Sequence, residues 1–149
     1  MQKVSDIMTT KVFSLTPDTD ISEAAKLLLE KRINGAPVVD KNGKVVGILC
    51  QSDLIAQQKR FPVPSVFTLL DGVFSLGSSK ALEKEVEKMA AFKVSQAMTE
   101  DPVTVTPDTL LDEVASLMVD KKLHTLPVVE SGKLVGIVGK EDVLRTLMP

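Results

Sequence analysis

The chain has 149 residues, a net charge of −2, and 44% hydrophobic against 26% charged residues, the balance of a soluble globular protein. The slightly acidic charge argues against a nucleic-acid partner, whose phosphates need a basic face. One cysteine and one histidine exclude an internal disulfide, a cysteine-cluster metal site and a multi-histidine zinc site.

A lone thiol fits a reducing, cytoplasmic setting. The opening residues MQKVSDIMTT lack the apolar core of a signal peptide, and no run approaches the ~18 apolar residues of a membrane span.

In chain order, Val12–Leu15 is a short apolar stretch predicted as a strand, stopped by Pro17. The Asp and Thr residues that follow are helix N-cap types. Ile21, Ala24, Ala25 and Leu28 then recur at helical spacing, and Gly35 is a plausible stop. Two strands, APVV and KVVGIL, are joined by a turn containing Asn42-Gly43, a strong hairpin signal. A short helix is predicted from about Gln51. Residues 61–93 follow, rich in phenylalanine and interrupted by Pro62, Pro64, Gly72 and Gly77. Their later part, about Lys80–Phe92, reads as an amphipathic helix with Leu82, Val86, Met89 and Ala90 on one side.

From residue 94 the first pattern returns. Aligning 4–54 with 94–143 leaves 21 identities in about 50 positions, far more than chance supplies. They include Met8/Met98, Thr9/Thr99, both TPDT runs, both PVV runs, Gly47/Gly136 and Asp53/Asp142. One residue is lost at the hairpin tip, where length changes are tolerated. The predicted organisation is therefore α+β: a first β-α-β-β-α repeat (1–60), a mostly helical insert (61–93) and a second repeat (94–149). Units of ~50 residues are near the lower limit for a stable core. The two repeats are expected to pack with pseudo-two-fold symmetry, leaving a cleft on the axis between them. Met8 and Met98 are expected to fill core.

The ordered motifs M-T, P-D-T, P-V-V and G-x-h-V-G-I-h-x-x-x-D, present twice, resemble the cystathionine-β-synthase-type (CBS) domain, and the tandem pair resembles a Bateman module. The resemblance covers about two-thirds of the chain. It implies a regulatory module binding an adenine nucleotide (AMP, ADP, ATP) or S-adenosylmethionine between the repeats, with no resident cofactor, commonly as a flat dimer. By that analogy Asp53 and Asp142 contact ribose. Carboxylates suit this, since charge-assisted hydrogen bonds to a cis-diol are worth roughly 1.5–3 kcal/mol each. Each Asp also lies near a helix start, where it can simply be a cap or favour the dipole, and where free N–H groups suit phosphate.

The family usually has Ser or Thr three residues after the glycine. Here Cys50 and Gly139 stand there, a weak donor and no side chain, and Ser52 is two residues beyond Cys50. His124 and Lys140 match phosphate-facing positions of some relatives; Asn34 and Gln51 replace them in the first repeat, so phosphate is expected near His124 and Lys140. The base is expected against Gly35, Ala36, Pro37, Lys11 and Val12 in one repeat, and against Thr125, Leu126, Pro127, Asp101 and Val103 in the other.

No nucleophile–base pair, Gly-rich phosphate loop or paired metal-ligand motif is present, so catalysis is not expected. The expected activity is ligand-dependent signalling to a regulated protein, in a homodimer that uses the insert or adjacent helices. The alternative is an interaction module that has lost its ligand, which the departures at Cys50 and Gly139 favour.

Overall fold

Ala24 and Leu28 lie one turn apart on the first long helix, and both are fully buried, as their spacing requires. The computed structural model describes residues 2–60 and 92–148. The expected insert, apart from Phe92 and Lys93, lies outside the described residues. The first repeat runs α1 (Val4–Ile7), α2 (Ile21–Glu30), β1 (Gly35–Val39), β2 (Val45–Cys50) and α3 (Gln51–Arg60). The second runs α4 (Val94–Ala97), β3 (Thr99–Glu100), α5 (Leu111–Asp120), β4 (Thr125–Glu130), β5 (Lys133–Gly139) and α6 (Lys140–Arg145).

β1–β2 and β4–β5 are antiparallel hairpins. At the first tip the Asp40 carboxylate accepts the N–H groups of Asn42 and Lys44 at 2.9 and 3.0 Å, and Gly43 takes a φ of +80°, which glycine adopts without steric cost. Both hairpins slip register at the second valine of PVV. The predicted strand Val12–Leu15 reduces to a single parallel bridge, Leu15 to Val38, repeated by Val105 to Val128. Pro17 and Pro107 follow at once and have no N–H to extend the ladder.

The N-cap expectation is also corrected. In each TPDT turn the second threonine accepts the N–H of the first, at 3.1 Å for Thr19 and 3.0 Å for Thr109. The helix starts are satisfied instead by the residues that lead into α4 and α1. Ile21 N–H donates to the Phe92 carbonyl (2.9 Å) and Leu111 N–H to that of Gln2 (3.0 Å).

These bonds belong to an exchange of segments. α1 lies against the second repeat, with Val4 N–H on Thr109 O and Ser5 N–H on Pro107 O. α4 does the same to the first, with Val94 on Thr19 and Ser95 on Pro17, and the Lys93 ammonium pairs with Asp20. The cores follow the exchange. Val94 and Ala97 complete the core of Leu15, Ala24, Leu28, Val38 and Leu49; Val4 completes that of Val105, Val114, Leu126, Val128 and Val138. Next along the chain, β3 adds to the edge of β2, pairing Thr99 with Ile48 and Glu100 with Gly47. Thr9 bridges Ile137 in the matching place. Each half is thus built from both ends of the duplication.

Candidate functional site

Among the described residues the seam opens into two clefts, not the single one expected on the axis. β1 and β4, which the pseudo-symmetry exchanges, contact each other there, as do the hairpin tips through a Lys44–Lys133 bridge. The crossed-over segments after Met8-Thr9 and Met98-Thr99 form one wall of each groove. The Asp53 cleft has a volume of about 460 Å³ and the Asp142 cleft about 290 Å³, within or at the edge of the roughly 300–1,000 Å³ of small-molecule sites.

Each cleft joins the post-Met-Thr segment and helix–strand turn of one repeat to the final helix start of the other. The Asp53 cleft gathers Cys50, Ser52 and Asp53 from the first repeat and Val103, His124 and Thr125 from the second, with Lys140 beside them. Val12 and Gly35 face Thr125, Gly139 and Asp142 in the other. Ala36, Pro37, Leu126 and Pro127 line neither cleft. Their side chains are fully buried, because the first four residues of β1 and of β4 are covered on both faces.

Both aspartates are helix caps. Asp53 Oδ2 accepts Cys50 N–H and Asp142 Oδ2 accepts Gly139 N–H, each at 2.8 Å. The next donors are also taken, Gln51 N–H by Asn34 O and Lys140 N–H by His124 O, each at 2.9 Å. The N–H groups of residues 50, 51, 139 and 140, expected to be free for phosphate, are therefore satisfied within the chain, as helix-end donors usually are. A phosphate here has side chains to meet rather than those four groups.

The second carboxylate oxygens differ. Asp53 Oδ1 has a hydroxyl contact from Thr99 at 3.4 Å, too long to be strong. Asp142 Oδ1 accepts Arg145 Nη1 at 2.8 Å, and only 9% of the aspartate side chain is exposed against 69% of the arginine. Cys50 is half-buried, its Sγ 3.0 Å from where a Cβ on Gly35 would stand. Burial, and then the charge of Asp53, push its thiol from 9.0 to about 11, so it stays protonated and unreactive.

Charge separates the clefts further. Lys11, Lys31, Arg32 and Arg145 line the Asp142 cleft with two acids, Glu141 and Asp142. Lys31 Nζ lies 4.9 Å from the Phe13 ring centre, a cation–π distance. The Asp53 cleft has Lys122 and Lys140 balanced by Asp53 and Asp101, plus His124. Asn34 and Thr125 line both clefts, and Asn34 Nδ2 donates to Glu141 at 3.3 Å. Lys31, Arg32, Lys122 and Arg145 were not anticipated. The duplication held a signal for two of them, since Arg32 and Lys122 are equivalent cations and both take a positive φ, 53° and 55°.

Two lobes of this form, exchanging segments across two seam clefts, define a tandem-repeat α+β fold, and comparison with known proteins gives the family. The CBS domain family matches residues 4–60 and 94–149, and the chain belongs to it. The CBS domain-containing protein CBSX1, chloroplastic, of Arabidopsis thaliana is 34% identical over 97% of this chain and 64% of its own length; this chain thus spans just under two-thirds of that relative. The solved structure of Arabidopsis CBSX2 in complex with AMP superposes with a TM-score of 0.75 at 30% identity, covering 99% of this chain and 97% of that one. The CBS domain pair of protein MJ0100, in complex with 5′-methylthioadenosine and S-adenosylmethionine, gives 0.72 at 27% identity over 98% and 99%. Among the described residues no helix is long and apolar enough to cross a membrane.

Proposed function

We propose that this chain is a regulatory module, not an enzyme, that takes an adenosine-type ligand (AMP, ADP, ATP or S-adenosylmethionine) at the seam and signals occupancy to a partner protein in a reducing, cytoplasmic setting. One observation carries the reading: Asp53, anchored by its cap through one oxygen, directs a nearly unpartnered second oxygen into the larger cleft. That is a preorganised acceptor for a ribose diol. The relatives solved with AMP, 5′-methylthioadenosine and S-adenosylmethionine support the ligand class.

The test is calorimetric titration with these ligands, beside thermal shift. Ligand at 100 times its Kd raises stability by about 2.7 kcal/mol. Asp53→Asn keeps an oxygen for the cap but loses the charge, so affinity falls about tenfold with little change in the ligand-free melting temperature. The chain has no Trp or Tyr, so a co-purified purine dominates its absorbance near 260 nm. Absence of any shift with every ligand supports the second reading, an interaction module without ligand, which Cys50 and Gly139 at the usual hydroxyl positions favour.

The functional form is a homodimer. Leu29 (73% exposed) and Ile55 (70%) on one half are equivalent to Val119 (75%) and Leu144 (56%) on the other. A helical face carrying the same apolar strip twice is matched by a second copy of itself about a two-fold axis. Light scattering that returns a monomer at micromolar concentration rejects the dimer.

A further inference from the structure

Resting on the reading that the seam takes an adenosine-type ligand, we propose that Asp142 and Arg145 form a phosphate-operated latch. Their cleft stays closed to a nucleoside without a phosphate chain and opens to one whose phosphates take Arg145 away.

The duplication supplies the control. The Asp53 cleft has Ala56 at the position of Arg145 and Asp101 at that of Lys11. Its aspartate is therefore open, and its wall carries a carboxylate where the other has an ammonium. In the Asp142 cleft the carboxylate oxygen that would accept a diol is held by Arg145 at 2.8 Å. A neutral sugar has to displace a full charge from a nearly buried carboxylate and offers nothing to the released guanidinium. A triphosphate offers bidentate oxygens, a better partner for arginine than one carboxylate oxygen. Lys11, Lys31 and Arg32 line the same cleft and add attraction for a polyanion. Since the Gly139 and Lys140 N–H groups are already bonded within the chain, these side chains are what recognise the phosphates. Arg145 moving to them frees Asp142 for the ribose. The Asp53 cleft, where Lys122 and Lys140 balance Asp53 and Asp101, has no such latch and admits adenosyl ligands with or without a phosphate chain.

The experiment is calorimetry on the full chain and on Arg145→Ala, which copies the residue of the other half, with ATP, 5′-methylthioadenosine and inorganic tripolyphosphate. Wild type is expected to bind ATP at two sites per chain and 5′-methylthioadenosine at one. Arg145→Ala is expected to gain the second 5′-methylthioadenosine site and to weaken one ATP site about tenfold. Equal stoichiometry of the two nucleosides in wild type, or unchanged ATP binding in Arg145→Ala, overturns the latch and leaves the adenosine reading standing. If neither nucleoside binds, the adenosine reading fails by itself. Tripolyphosphate binding that Arg145→Ala weakens then still supports a phosphate-responsive Arg145, and no tripolyphosphate binding overturns that too.

Discussion

Met98 Sδ occupies the space a side chain at Gly47 would need: a Cβ there would stand 2.5 Å from the sulfur and 3.0 Å from the Thr99 carbonyl oxygen. The relationship recurs between Met8 and Gly136, at 2.9 Å from sulfur and 3.1 Å from the Thr9 carbonyl. The glycine of each G-I run thus lets the crossing Met-Thr segment of the opposite repeat lie on the strand. Gly47→Ala should destabilise the fold by about 1–3 kcal/mol, as overpacking does. Met98→Ala in the same chain should restore only part of this, because the carbonyl contact remains. Urea denaturation of wild type and the two variants reads it; a neutral Gly47→Ala would contradict the close crossing.

The exchange makes a second demand. Val4 is fully buried in the core of the second repeat. Val4→Ala should cost roughly 1–3 kcal/mol by loss of buried methyls and the cavity left behind. Val94→Ala, its counterpart in the other core, should cost about as much. Hydrogen exchange should localise the loss for Val4→Ala to α5, β4 and β5 rather than to the first repeat.

Cys50 gives a pH signature. Its folded thiol is raised from 9.0 to about 11, so the folded chain holds the proton that the unfolded chain releases first. The contribution is fully present below about pH 9 and is lost as pH rises toward 11. Stability measured across that window should fall more steeply for wild type than for Cys50→Ser. At pH 8 alkylation of the folded protein should be slow, its thiolate fraction being about a hundredfold below that of the unfolded chain.

The same substitution probes the ligand site. A serine hydroxyl is a better donor than a thiol, and one added hydrogen bond is worth roughly 0.5–1.5 kcal/mol. Cys50→Ser should tighten binding of an adenosyl ligand in the Asp53 cleft by about 2–10-fold, read by calorimetry. Unchanged affinity would separate Cys50 from the ligand.

The hairpins, the two long helices and their apolar faces were legible because each rests on local chemistry: Ala24 and Leu28 at helical spacing, and Asn42-Gly43 at a turn. Asp53 and Asp142 were recognisable as helix-start residues for the same reason. The swapped position of α1 and α4 was not legible. VSDIM and VSQAM carry no mark of which repeat they cover, and helix starts that looked capped by their own Asp or Thr are in fact capped by a distant carbonyl. His124 and Lys140, expected together, do line one cleft, but it is the cleft of Asp53 and not that of Gly139 and Asp142.

The duplication, its elements and its family were thus written in the order of residues, because periodicity and turn chemistry act over a few positions. Which side chains share a cleft was decided in three dimensions. Exchange of the Met-Thr segments brings Lys11 to Arg145 and Asp101 to Asp53 across more than forty intervening residues, and no local pattern encodes a charge balance assembled over that distance.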